Sequence, residues 1–175
     1  EGLSHEASSL AGHLSLSKLI VFFDDNSISI DGSTELSVSE NTIKRYEAYG
    51  WNTIIIDGHN HEEISNAIVE AKKNSCPTLI ACKTKIGFGS PNKESKSSSH
   101  GSPLGEDEIE LTRKNLNWPH KSFEIPDQYL SDWRKFSNRN INIKKLWQKN
   151  NDDVTTSTTF KNYFSKKLTE KVNIK

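Results

Sequence analysis

Methionine is absent from all 175 residues, and cysteine nearly so, with only Cys76 and Cys82. The two cysteines flank an apolar stretch without a CxxC pair or a neighbouring histidine, which excludes a thiol-rich metal site and a redox motif. Period-two alternation puts both on one strand face, too far apart for a disulfide, so a reduced, cytoplasmic setting is expected. No apolar run approaches the length of a membrane span. The opening EGLSHEASSL has neither the basic start nor the hydrophobic stretch of a signal peptide. With no methionine at position 1, the natural chain is expected to start earlier.

Hydrophobic residues make up 33% and mean hydropathy is -0.71, with the polar excess concentrated in the last third. A buried core must therefore come from the first two thirds. The zero net charge hides an asymmetry. Residues 1–133 carry 12 Lys or Arg against 20 Asp or Glu, a net of -8, and residues 134–175 carry 11 against 3, a net of +8. The basic residues of the tail are scattered among Asn, Thr and Ser without a recognised binding motif, so neither a nucleic-acid nor a membrane partner is expected.

What is present alternates regularly. Ser4 caps a small-residue helix to about Leu16, with Ala7, Leu10, Ala11 and Leu14 on one face. Leu19 to Asp25 (LIVFFDD) has the composition of a strand buried on both faces. Residues 40–49 form a helix closed by Gly50, and Trp51 to Ile56 form the next strand. A helix from His61 carries Ile64, Ala67, Ile68 and Ala71 at helical spacing, and Thr78 to Lys83 is a third strand. Strands alternating with helices predict a doubly wound parallel α/β sheet with flanking helices. Ligands bind such sheets beyond the carboxyl ends of the strands. Three loops occupy that edge: Asp24 to Gly32, Asp57 to Asn60, and the long, polar Thr84 to Leu104. Helices are then predicted at Glu106 to Leu116, Asp127 to Phe136, Ile141 to Lys149 and Thr159 to Lys171, the last two within a linker from Ser137 onward.

The segment DDNSISIDG at the end of the first strand offers the Asn26 side-chain oxygen and the Ile28 carbonyl as hard donors, a set that suits magnesium completed by phosphate oxygens. Residues of these types are also ordinary turn formers, and spacing alone leaves both readings open. His59 and His61 have no third metal ligand at a sensible spacing, so a helix-capping role is expected for His61 and its neighbours. Lys93 and Lys96 could attract a phosphate-bearing ligand or stand in a solvated loop.

The stretches EGLSHEASSLAGHLSLSKLIVFFDDNSISIDG, RYEAYGWNTI, KTKIGFGSPNK and SHGSPLG resemble, in order and spacing, consecutive signatures of transketolases over residues 1 to 135. The resemblance implies a thiamine diphosphate-binding fold, incomplete at the N-terminus, because in that family a GDG triplet stands a few residues before EG. It implies two parts: a truncated diphosphate-binding domain over residues 1–136, and a basic, polar helical linker over 137–175 leading toward a missing pyrimidine-binding domain.

By the same resemblance, Asn26 ligates magnesium (or another divalent cation such as calcium) and contacts the diphosphate, and Ile28 ligates through its carbonyl. The family's third protein ligand, the Asp of GDG, has no counterpart here. Ile30 and Ile86 match apolar residues beside the thiazolium, where a dry wall keeps water from the reacting carbon. His100 matches the histidine that reaches both cofactor and substrate, a catalytic position where an imidazole can move protons at working pH. Gly87, Gly89 and Gly101 allow a backbone to lie close to a ligand. Glu1 and Glu6 match glutamates at the homodimer interface, although Glu6 is also favourable charge near a helix N-terminus.

The implied activity is transfer of a two-carbon ketol unit from a ketose phosphate such as xylulose 5-phosphate to an aldose phosphate. This is a reaction of the pentose phosphate pathway and, in autotrophs, the Calvin cycle, in the cytoplasm or a plastid. The 175 residues alone are expected to be inactive and poorly soluble. Dihydroxyacetone synthase, and a non-catalytic split subunit or remnant, remain as alternatives.

Overall fold

The computed structural model describes residues 2–155 and 157–164. The chain divides into two compact units, Glu1–Pro119 and His120–Lys175.

The first unit opens with α1 (Gly2–His13), followed by β1 (Ile20–Asp25), a small antiparallel pair of β2 (Ile28–Ser29) and β3 (Gly32–Ser33), and α2 (Thr42–Ala48). Then come β4 (Asn52–Asp57), α3 (His61–Ala71), β5 (Thr78–Lys83) and α4 (Glu106–Asn115). The three long strands form one parallel sheet in the order β1-β5-β4, with Phe22 and Ile54 on either side of Ile80. The chain thus passes from β1 to the far position, and β5 fills the gap between.

The sheet is covered on both sides, as a doubly wound arrangement requires. Alternation along β5 sends Ile80 and Cys82 to one face, where they pack with Ile56 and with Ala67 and Ala71 of α3. Leu79 points to the other face and packs with Ala11 of α1 and with Trp51, flanked by Ile43, Tyr46 and Tyr49. β5 is buried from Thr78 to Cys82. The expectation that β1 is buried on both faces does not hold: Phe22 is 49% exposed, as Ile55 of β4 is 59%. Each of these outer strands has one neighbour in the sheet, and composition alone cannot distinguish an outer apolar strand from a central one.

Local chemistry sets the element ends. α1 stops at His13, short of the expected Leu16, because Ser15 turns left-handed (φ 49). The Leu16 N–H donates to Ala11 O at 3.1 Å and the Ser15 N–H to Gly12 O at 2.9 Å, a Schellman closure. Asn41 caps α2, its Oδ1 accepting the Lys44 N–H at 3.0 Å. Asn60, rather than His61, caps α3, its Oδ1 accepting the N–H groups of Glu62 and Glu63 at 3.0 and 3.3 Å. α1 is held to the sheet by the Trp51 indole N–H, which donates to Ser8 O at 2.8 Å. At Gly12 the approach is so close that a Cβ would lie 1.8 Å from Tyr49 O.

The second unit contains α5 (Asp127–Asn138), α6 (Ile141–Thr155) and α7 (Thr158–Phe164). α6 runs past the expected Lys149, and the expected continuation of the last helix to Lys171 lies outside the described residues, as does Glu1. On α5, Tyr129, Trp133 and Phe136 are exposed, and the Arg139 guanidinium sits 3.4 Å from the centre of the Phe136 ring. Both cysteines are free thiols; burial, and then the charge of Asp24, push the Cys82 thiol up. Among the described residues, no helix is long and apolar enough to cross a membrane.

Candidate functional site

The carboxyl ends of β1 and β5 and the start of α2 border a cavity of about 740 Å³ lined by Asp24, Asp25, Asn26, Ile28, Glu40, Asn41, Ile55 and Lys83, among others. Its floor is set by pairings between neighbouring strands. The Thr84 hydroxyl donates to Asp24 Oδ1, and the Lys83 ammonium pairs with Asp25. Asn26 Nδ2 in turn donates to Asp24 Oδ2 at 3.4 Å. On its other side, Asn26 Oδ1 accepts the Ile28 N–H at 3.0 Å, an Asx turn made across the left-handed Ser27 (φ 62). The chain then folds back through β2 and β3, with the Thr34 N–H donating to Ser27 O at 3.0 Å.

Asn26 and Ile28 therefore stand together in the cavity wall. Ile30 lies at the tip of the β2–β3 hairpin, 70% exposed, and is not among the lining residues. Ile86 and His100 lie on the Thr84 to Leu104 loop and do not line the cavity either. Ile86 is half-buried, its carbonyl accepting the Ser95 N–H at 2.8 Å. His100 is exposed, at the end of a 3-10 turn over Ser97–Ser99. Glu6 is exposed on α1 and borders a separate hollow of about 630 Å³ with His5, Ser9, Leu10, His13 and Tyr49.

The long loop is built around two carboxylates that the sequence did not single out. Glu108 of α4 is buried. Its Oε1 accepts the Ser90 hydroxyl and, at 2.8 Å, the Asn92 N–H; its Oε2 accepts Asn92 Nδ2 at 2.9 Å. These donors, Ser90 first, hold its carboxyl below the ordinary range. Glu94 accepts the Gly89 N–H and the Lys85 ammonium, each at 3.0 Å, and is likewise lowered, chiefly by the Gly89 amide.

Lys93 is not a solvated loop lysine. Its ammonium donates to Leu104 O at 2.8 Å and closes the loop on itself. Lys96 donates to Asn92 O at 2.7 Å. Gly87 and Gly89 have positive φ and lie against the chain's own Ser99 and Leu116, while the space beside Gly101 is open.

His59 also went unassigned by sequence reasoning. Its Nε2 accepts the Lys85 N–H at 3.0 Å, and its ring stacks on Phe88 with centroids 4.0 Å apart and planes 19° from parallel. The only signal available was its place just beyond a strand end. Among the described residues, no group of three or more His, Cys, Asp or Glu side chains is placed to hold a metal.

A polar cleft at the carboxyl edge of a doubly wound parallel sheet, beside an ordered loop, defines the class: an α/β ligand-binding domain of the cofactor-binding kind. The chain belongs to the transketolase thiamine diphosphate-binding domain family, whose model matches residues 1–173. It is 58% identical over 134 residues to transketolase 2 of Vibrio vulnificus, covering 76% of this chain and 20% of that protein. It is 48% identical over 151 residues to the transketolase of Buchnera aphidicola, covering 85% of this chain and 23% of that protein. Among solved structures, the Pichia stipitis transketolase in complex with sedoheptulose-7-phosphate aligns with a TM-score of 0.80 at 41% identity, over 85% of this chain and 22% of that one. Transketolase from Leishmania mexicana aligns with a TM-score of 0.81 at 37% identity, over 89% of this chain and 24% of that one. The chain thus spans about a fifth of the length of the curated relatives it matches.

Proposed function

We propose that this chain is the diphosphate-binding part of a thiamine diphosphate-dependent transketolase that transfers a two-carbon ketol unit between phosphosugars. The observation that carries the proposal is the turn at the end of β1, where Asn26 and Ile28 stand side by side in the cavity wall. Asn26 Oδ1 accepts one hydrogen bond there, and an amide oxygen has a second lone pair to offer. With the Ile28 carbonyl it forms a small set of hard, neutral oxygen donors. Such a set fits a magnesium ion whose remaining ligands come from a diphosphate and water.

Asn26 and Ile28 would hold the metal, and Asn26 would also contact the diphosphate. When bound, thiamine diphosphate supplies the carbon nucleophile for carbon–carbon cleavage, and the metal offsets the diphosphate charge. In this reading Ile30 and Ile86 exclude water from the reacting centre. Both are apolar side chains on the connections that follow β1 and β5, and the 70% exposure of Ile30 leaves it available for such contact. His100, exposed on the long loop, would hydrogen-bond cofactor and substrate and hold or move a proton at an imidazole nitrogen.

Residues 1–136 would be the diphosphate-binding domain and 137–175 the connection to a pyrimidine-binding domain. The complete enzyme would be a cytoplasmic homodimer, with Glu6, and Glu1 from outside the described residues, at its interface. The open hollow beside Glu6 is consistent with a partner there.

The deciding experiment takes the complete protein that carries this chain. Calorimetric titration with thiamine diphosphate and Mg2+ is paired with a transfer assay from xylulose 5-phosphate to ribose 5-phosphate. Metal-dependent binding together with transfer supports the proposal, and failure to bind the cofactor rejects it.

A further inference from the structure

The histidine pair that the sequence set aside as a metal site contains one ring with two separate engagements. His59 follows β4, and the loop that carries Ile86 and His100 follows β5. The two connections lie in direct contact: the Gly58 N–H donates to Lys83 O at 2.8 Å, and a Cβ on Gly58 would stand 2.5 Å from Thr84 Cγ2. The Asp57 carboxylate accepts the His59 N–H at 2.9 Å and fixes the start of this connection. From there the half-buried imidazole reaches across. Its Nε2 accepts the Lys85 N–H at 3.0 Å, and its face lies on Phe88. Lys85 and Phe88 bracket Ile86. One ring therefore grips the loop by an edge and by a face on either side of that isoleucine.

We infer that His59 is a positioning residue for the Thr84 to Leu104 loop, a latch that sets where Ile86 stands and where the path to His100 begins. Accepting at Nε2 requires a neutral ring with its proton on Nδ1. A phenylalanine in its place would keep the stacked face and leave the Lys85 N–H without its acceptor. Glutamine, whose Oε1 lies about as far along the side chain as Nε2, would restore an acceptor without the ring. The link to cofactor binding rests on the function proposed above; the latch itself does not.

The test uses the complete protein. Neutron diffraction is expected to place the imidazole proton on Nδ1, and a proton on Nε2 with Nδ1 bare would overturn the latch. The amides from Lys85 to Gly89 should exchange about tenfold faster in H59F, consistent with one lost hydrogen bond, and return toward the native rate in H59Q. Equal rates in all three proteins would overturn it as well. If H59F does not fold, the native proton position and H59Q exchange decide.

Half-saturation by thiamine diphosphate should rise about tenfold in H59F and recover in H59Q, with the thermal midpoint held. Native affinity in H59F would overturn the positioning role. A native protein that does not bind thiamine diphosphate would sink the proposed function instead, and the latch would stand or fall on exchange and proton position.

Discussion

Glu108 holds Asn92 by both of its carboxylate oxygens, one on the main-chain N–H at 2.8 Å and the other on the side-chain amide at 2.9 Å. With the Ser90 hydroxyl on the same carboxylate, a buried charge on α4 becomes the anchor of the loop before it. Replacing Glu108 by Gln keeps the size but puts a donor where one oxygen now accepts. Amide exchange from Ser90 to Leu104 should accelerate at least tenfold while α3 and β5 keep their protection. Uniform acceleration throughout the first unit would show that Glu108 supports the whole unit and is no local anchor.

The same carboxylate gives a pH dependence. Its folded-state pKa is lowered, as is that of Glu94, so the unfolded state binds protons more readily. The stabilisation is present above the ordinary glutamate pKa, about 4.3, and is lost as pH falls below that through the folded values. Exchange-detected opening of the loop should stay flat from pH 8 to about 5 and increase below about 4. The acid-induced increase should be smaller in E108Q, and an acid response identical to the native one would contradict this assignment.

Gly12 tolerates no side chain, since a Cβ would lie 1.8 Å from the Tyr49 carbonyl oxygen, which is backbone and cannot swing aside. G12A should destabilise by about 3 kcal/mol, the upper part of the usual overpacking range, although alanine is the better helix former. Denaturant unfolding of the native and G12A proteins measures it. A stabilised G12A would mean that α1 does not approach the Tyr49 carbonyl as described.

Trp51 to Phe keeps an aromatic ring against Tyr46, now edge to face at 5.0 Å, and removes the indole N–H from Ser8 O. Ser8 lies within α1, whose ladder still uses its carbonyl, so losing the second donor costs about 0.5–1.5 kcal/mol. The unfolding midpoint should drop accordingly, with the loss concentrated in α1 exchange. A change under about 0.5 kcal/mol would indicate that water replaces the indole N–H.

Asn26 to Leu should remove the amide oxygen while leaving the first unit folded, because the side chain lines the cavity and its bonds, to Asp24 and the Ile28 N–H, stay within residues 24–28. Metal-dependent thiamine diphosphate binding should weaken by at least about tenfold. Unchanged magnesium dependence would remove Asn26 from the proposed ligand set.

The sheet was legible in the sequence because its signals are local. Apolar runs gave β1, β4 and β5 to within a residue, and the α3 cap was expected at His61 and its neighbours, next to Asn60, while Asn41 at the start of α2 was not singled out. Asn26 and Ile28 were placed at a strand end for the same reason. Strand order was not legible, because burial on two faces reads alike in a central strand and in an outer one such as β1. Glu108, Glu94, Lys93 and His59 were missed or misjudged because their partners lie 5 to 26 positions away, with no periodicity connecting them. A glutamate in the first turn of α4 reads as favourable charge at a helix start, and nothing local says that it is buried beneath a loop.

The anchoring of the Thr84 to Leu104 connection also bears on association. Fixing a backbone costs about 1–2 kcal/mol per residue, so ordering a connection of this length is a large opposing term. Here Glu108, Glu94, Lys93 and His59 couple that ordering to folding. A ligand arriving at the carboxyl edge meets a preorganised surface and need not supply the free energy to assemble it. Affinity at this edge should then respond steeply to substitutions that loosen the connection, even where they touch no ligand atom, because each returns part of the ordering cost to the binding step.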